Sequence, residues 1–250
     1  MKVRNLLTGG CVLGALISTG VLATPVLGIG SMYDVITQDS QSMTKRIYNT
    51  GTSTAFSRVD VLEIDPTNMK GNAETPQKEI IADNINKNRL IVTPSRLIIP
   101  PGGFQSVRII WPGDRKVEKY FRVRFTPVVP QANDSFGLDQ KAVSEYRKNT
   151  LKAGVNVLTG YGTIVIVQPE KPVFNSLFDQ SKKGVITVRN NGNTTISLDN
   201  IRQCKSAKTD CGNSNREFII PGKSKALNVQ PGYQIYFTLI EGSNKRELVL

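Results

Sequence analysis

A chain of 250 residues with 32 Lys and Arg, 20 Asp and Glu, three Cys and no His is long enough for one large domain or two small ones. Without imidazole there is no Ser-His-Asp or Cys-His nucleophile, no His-ligated zinc and no imidazole base. The net charge of +12 suits an acidic, anionic or membrane-surface partner, or simply solubility, and 39% hydrophobic with 21% charged residues argues against wholesale disorder.

The chain opens on Met1-Lys2-Val3-Arg4, runs uncharged from Leu6 to Leu22, and reaches Val21-Leu22-Ala23 before Thr24-Pro25. That basic, apolar, small-residue order is the pattern of a secretory signal peptide over residues 1–23. The alternative is a permanent anchor, but Gly9, Gly10, Gly14 and Gly20 make the stretch weakly apolar for a bilayer span of about 20 residues. Cys11 leaves with the signal, because a lipidated Cys would close the apolar run and Cys11 stands near its start. Two cysteines then remain in an oxidising compartment, and the spacing of Cys204 and Cys211 is most simply met by one short disulfide.

Beyond residue 24, short runs rich in Val, Ile, Thr, Phe and Tyr alternate with Gly, Pro and Asn clusters, as expected of an antiparallel all-β chain. Strands are predicted at Ser42–Tyr48, Ala55–Ile64, Leu90–Val92, Phe104–Trp111, Tyr120–Val129, Val155–Val167, Gly184–Arg189, Thr195–Asn200, Phe218–Ile220 and Gln234–Ile240. Around ten strands exceed the seven of one small sandwich, so two sandwiches are expected. The break falls at Gln168-Pro169-Glu170-Lys171-Pro172, where prolines interrupt pairing; this gives domains over 24–168 and 169–250.

Three segments stand out in chain order. In Lys119–Phe125 a period of two sends Phe121, Val123 and Phe125 to the core and places Tyr120, Arg122 and Arg124 on the opposite face. Two guanidiniums on one face suit a carboxylate or phosphate; the plainer reading is a solvated outer face. Gln131–Gly154 is a long polar connection, functional or disordered, or else a short surface helix over Lys141–Asn149. Gly154–Val167 is overlong for a strand, with Gly160 and Gly162 inside it. It is either an edge that adds a strand to a partner or a core strand bent at its glycines. No G-x-S-x-G, P-loop or EF-hand pattern is present, and Asp60, Glu63 and Asp65 read as surface charge. Neither a metal site nor a cofactor is expected, and the chain is read as not an enzyme.

Several stretches resemble one family. Ser42–Asn49, Arg89–Pro94 followed by Leu97–Gly102, Ser106–Ile109, Tyr120–Val123 and Gly162–Pro169 resemble, in order, the first domain of PapD-like periplasmic pilus chaperones of the chaperone–usher pathway. Val188–Asn193, the two cysteines and Ile220–Ser224 resemble the branch serving common-pilus and colonisation-factor systems. The resemblance implies two immunoglobulin-like β-sandwiches in a boomerang. It also implies a periplasmic location and fimbrial subunits and an outer-membrane usher as partners, with no nucleic acid and no membrane insertion after signal cleavage. The long strand would be lent to a subunit in donor-strand complementation, and counting back from Pro169 puts the donated side chains at Val155, Val157 and Thr159. The family's two basic cleft residues have no match here: Ser31–Thr37 holds no basic residue and the strand position is Ile164. Arg122 and Arg124 are therefore the candidate carboxylate anchor. A secreted β-sandwich adhesin or structural pilus component is the alternative.

Overall fold

A period of two governs how the chain buries itself. Along Met43-Thr44-Lys45-Arg46-Ile47-Tyr48-Asn49 every second residue turns inward and those between are exposed, the pattern of a sheet with one face packed. The computed structural model describes residues 24–66, 74–77, 88–132, 134, 136–150, 159–205 and 209–250.

The first sandwich holds β1 (Leu27–Gly28), β2 (Tyr33–Ile36), β3 (Ser42–Asn49), β4 (Ala55–Ile64), β5 (Glu74–Pro76), β6 (Ile91–Thr93), β7 (Arg96–Ile99), β8 (Phe104–Ile110), β9 (Lys119–Pro127) and β10 (Tyr161–Val167), with one helix, α1 (Gln140–Thr150). One sheet runs β1-β3-β8-β6; the other runs β2-β10-β9-β4-β5, with β7 also on β4. Trp111, Phe121, Phe125, Leu97, Ile99, Ile109 and Val165 fill the space between, with Trp111 and Phe121 ring centroids 5.3 Å apart. Helix α1 starts at an Asp139 cap, whose Oδ1 accepts the Ala142 N–H at 2.7 Å. It stays on the sheet because Val143 is buried and Tyr146 meets Phe56 edge-on at 5.0 Å. The surface helix expected over Lys141–Asn149 is observed as Gln140–Thr150; residues 133, 135 and 151–154 of that connection lie outside the described residues.

The second sandwich holds β11 (Ser176–Asp179), β12 (Val185–Asn190), β13 (Ile196–Lys205), β14 (Thr209–Cys211), β15 (Asn215–Ile219), β16 (Ser224–Asn228), β17 (Gln234–Glu241) and β18 (Asn244–Val249). Its sheets run β11-β12-β16 and β14-β13-β17-β18, with β15 also on β13. Ile186, Val188, Ile196, Leu198, Ile219, Leu227, Phe237 and Leu239 form a separate core. Cys204 and Cys211 face each other across β13 and β14, Cα atoms 4.1 Å apart, and are bonded.

Both sandwiches use the same corner. Asn49 ends β3 buried, its Nδ2 donating to the Ser53 and Ile99 carbonyls; Asn190 ends β12 buried, its Nδ2 donating to those of Thr194 and Ile219. Two residues on, a Cβ at Gly51 would stand 2.2 Å from the Thr24 carbonyl oxygen, and one at Gly192 would stand 2.2 Å from that of Val173. Only glycine admits so close a backbone. The motif Asn-x-Gly therefore marks where each sandwich's entry segment passes the end of its first strand longer than four residues.

Candidate functional site

Strand β10 is the axis of the candidate site. It pairs antiparallel with β9 along its whole length, from Tyr161 opposite Phe125 to Val167 opposite Lys119. On its other side the parallel ladder with β2 covers only Ile164–Val167, starting where the Ile164 N–H donates to the Met32 carbonyl at 2.9 Å. Polar backbone groups alternate sides along a strand, so the N–H and C=O of Gly162 point the same way as those of Ile164, one step beyond the ladder. Among the described residues no strand pairs there. Thr159 and Gly160, just before β10, are exposed and outside the strand. Val155 and Val157 lie outside the described residues. Core membership sets the side-chain parity of β10: Val165 and Val167 belong to the first core and Tyr161 packs against it, with Thr163 buried too, so odd positions face inward; Ile166 is also buried but is not part of that core.

Arg122 and Arg124 share the outer face of β9 as expected, and both hold one carboxylate. Arg122 Nε donates to Glu74 Oε1 and Arg124 Nη2 to Glu74 Oε2. Glu74 reaches them across β4 from the three-residue edge strand β5. The side chains remain partly open, at 31% for Arg122, 49% for Arg124 and 25% for Glu74. Together with Thr126, Gly160, Tyr161 and Gly162 they line an open depression of about 320 Å3. Gly162 shapes its floor: a Cβ there would lie 3.3 Å from Cγ and Cδ of Arg122, so the bare backbone lets the arginine stem lie across β10. Glu74 carries no sequence signal, since Glu-Thr-Pro has little strand propensity and its partner is 48 residues away.

Tyr120 lies on the same outer face as the arginines, outside the first core, but it is not solvated. It is buried because the second sandwich covers that end of the sheet. The Glu118 carboxylate accepts from the Tyr120 hydroxyl, from the Thr194 and Thr195 hydroxyls and from the Thr195 N–H at 2.8 and 2.9 Å. Burial first, then the Glu118 charge and hydrogen bond, push the Tyr120 phenol well above its ordinary value. Tyr33 stacks on Phe218 of β15, ring centroids 3.8 Å apart, giving a second contact between the sandwiches.

Although Ser31–Thr37 has no basic residue, one arrives from β3. Lys45 Nζ donates to Asp34 Oδ2 and to the Ser31 carbonyl, each at 2.7 Å, and Thr163 Oγ1 donates to the same Asp34 oxygen at 2.6 Å. Lysine and aspartate side chains are 5% and 10% exposed. This triad faces the core, not the depression, so it ties β2, β3 and β10 together. Its sequence signal is Lys45 standing in the inward row Met43, Lys45, Ile47.

Among the described residues there is no group of three or more His, Cys, Asp or Glu able to hold a metal, and no helix is long and apolar enough to cross a membrane.

No protein-family model matches the chain. A CS1 fimbrial subunit of Escherichia coli is 26% identical over 83% of the chain and 76% of its own length. The probable fimbrial chaperone EcpB of E. coli O1:K1 is 23% identical over 84% of the chain and 85% of its own length. Among solved structures, the class 5 fimbriae chaperone CfaA superposes with a TM-score of 0.55 at 22% identity, covering 90% of the chain and 98% of CfaA. The chain thus has the two-sandwich fold of the PapD-like fimbrial chaperones and is similar to them in sequence.

Proposed function

We propose that the chain is a periplasmic chaperone that binds fimbrial subunits by lending them a strand and hands them to an outer-membrane usher. In this reading residues 1–23 leave as a signal peptide, and 24–168 and 169–250 form the two immunoglobulin-like domains. The observation that carries it is the free side of β10 at Gly162, where the β2 ladder stops and the chain runs back toward 155–159. A client strand added there gains main-chain hydrogen bonds from an edge that otherwise invites aggregation.

Parity supports the donated residues. Val155, Val157 and Thr159 share the odd register of Tyr161, Thr163 and Val165, so an extended backbone would continue the inward row of the first sandwich into a client's open core. Each valine fully buried this way contributes about 1.5–3 kcal/mol. Strand addition requires no proton transfer, which fits a chain without His. Arg122 and Arg124 form the anchor for a subunit's terminal carboxylate in this scheme, supported by the carboxylate that Glu74 already seats on them. The similarity to a probable fimbrial chaperone supports the client class.

Co-expression with a fimbrial subunit, followed by affinity capture and size-exclusion chromatography, tests the proposal. A soluble one-to-one complex is expected. Val157→Asp should abolish it while leaving the chaperone's own thermal melt unchanged, and R122E/R124E should weaken it strongly. Degradation of the subunit despite co-expression would refute the chaperone reading, and full complex yield with Val157→Asp would refute the donor assignment.

A further inference from the structure

We infer that Glu74 is an intramolecular stand-in for a ligand carboxylate, occupying the Arg122–Arg124 pair until a client's carboxylate displaces it. The inference rests on the chaperone reading and adds a regulatory element to its anchor.

The ligand class is set by the occupant. One carboxylate spans two guanidiniums, one oxygen to each, and guanidinium donors match carboxylate oxygens through charge-assisted bonds. The occupant is also exchangeable. Each guanidinium carries five N–H donors and gives one to Glu74, so donors remain for an incoming group. The three side chains are between a quarter and a half exposed, and ion pairs in that range hold weakly. Asp60 stands opposite Arg124 in the β4–β9 register, but it is engaged with Arg58, 3.1 Å away. Two positive charges and the single negative charge of Glu74 leave the depression net positive.

Placement favours exchange with a client over exchange with free anions. Glu74 belongs to a three-residue edge strand paired with β4. The opposite wall is Gly160, Tyr161 and Gly162, the stretch whose edge is open to a client, and the Arg122 stem crosses Gly162. A chain paired along β10 brings its carboxylate to the depression at a high effective concentration, whereas a dilute free carboxylate competes poorly with a tethered glutamate. The latch therefore rejects stray anions and opens to a carboxylate that arrives with a paired strand.

The test is titration of the full-length protein with N-acetylglycine and with its amide, followed by NMR of the arginine Nε–H groups, for the wild type, Glu74→Gln and Glu74→Ala. Both variants should bind N-acetylglycine about 10-fold more tightly than wild type, the effect of removing two partly exposed ion pairs, and neither should bind the amide. The gain should vanish in E74Q/R122K/R124K, which keeps the charge and loses the guanidinium forks. Unchanged or weaker binding in folded E74Q and E74A would make Glu74 a brace and overturn the inference, as would a gain that survives the lysine replacements. A subunit complex formed by wild type without any gain in the variants sinks the latch alone. A gain without any subunit complex leaves the latch standing and sinks the chaperone reading.

Discussion

Replacing Lys45 by Met isolates the buried triad. Lys45 and Asp34 sit 2.7 Å apart, almost wholly out of water; at an effective dielectric of about 20, unit charges at that distance attract by about 6 kcal/mol. Much of this offsets desolvation, so the intact pair is worth little over an apolar one. Removing one member is different: Asp34 keeps its charge in the interior with only the Thr163 hydroxyl left beside it, and the Ser31 carbonyl loses its donor. A loss of about 3–5 kcal/mol follows. Adding Asp34→Leu removes the stranded charge, and K45M/D34L should return to within about 1–3 kcal/mol of wild type, the remainder being the Thr163 hydroxyl and the Ser31 carbonyl left without partners. Urea denaturation followed by fluorescence measures this cleanly, because the chain has one tryptophan and Trp111 is buried in the first sandwich. A K45M loss below about 1 kcal/mol, or a double variant less stable than K45M, would refute the reasoning.

Other perturbations have equally definite outcomes. Cys204→Ser with Cys211→Ser opens a loop of sequence separation 7 and should destabilise the second sandwich by about 2.4 kcal/mol on chain-entropy grounds, read by circular dichroism in urea while the Trp111 transition stays put. The Tyr120 phenol is raised from 10.0 in the folded state, so its contribution is complete below pH 10 and falls as the pH rises beyond it, because the unfolded chain ionises first. Ultraviolet titration should show one of the seven tyrosines ionising late, and Glu118→Gln should bring that step down by removing the neighbouring charge. Gly162→Val should displace the Arg122 stem, since even a Cβ lies 3.3 Å from it; arginine NMR shifts should move while the melt changes little.

Legibility in the sequence followed the range of the forces involved. Strands β3, β4, β8, β9 and β17 were readable because each carries its own alternation, and Phe121, Val123 and Phe125 turned inward as that alternation requires. Short strands escaped notice where pairing, not composition, makes them: β2 exists through its parallel ladder with β10, and β5 through three positions on β4. Strand β13 runs on to Lys205, past the expected end at Asn200, because its bulge between Leu198 and Ile201 and its disulfide at Cys204 depend on partners elsewhere in the chain. The expected strand from Val155 is a strand from Tyr161 among the described residues.

At the site, the arginine pair was visible as a shared strand face and the glycines as a break in the alternation. Glu74 was not, because a charge-pair partner across an intervening strand leaves no local trace. The burial of Tyr120 was not legible, because a period of two names a face without saying what packs on it; here the second sandwich does. Lys45 could have been found, since a lysine in an inward row demands a buried partner.

Amide hydrogen exchange, measured residue by residue on the chaperone alone and in complex with a fimbrial subunit, tests strand lending most directly. The lent edge should show as slowed exchange at Gly162, whose N–H faces the open side of β10, and at Gly160, Leu158 and Asn156 once a lent strand extends β10 backward, with Thr163 unchanged because β9 already pairs it. Unaltered exchange at all four positions in a demonstrable complex would contradict strand lending.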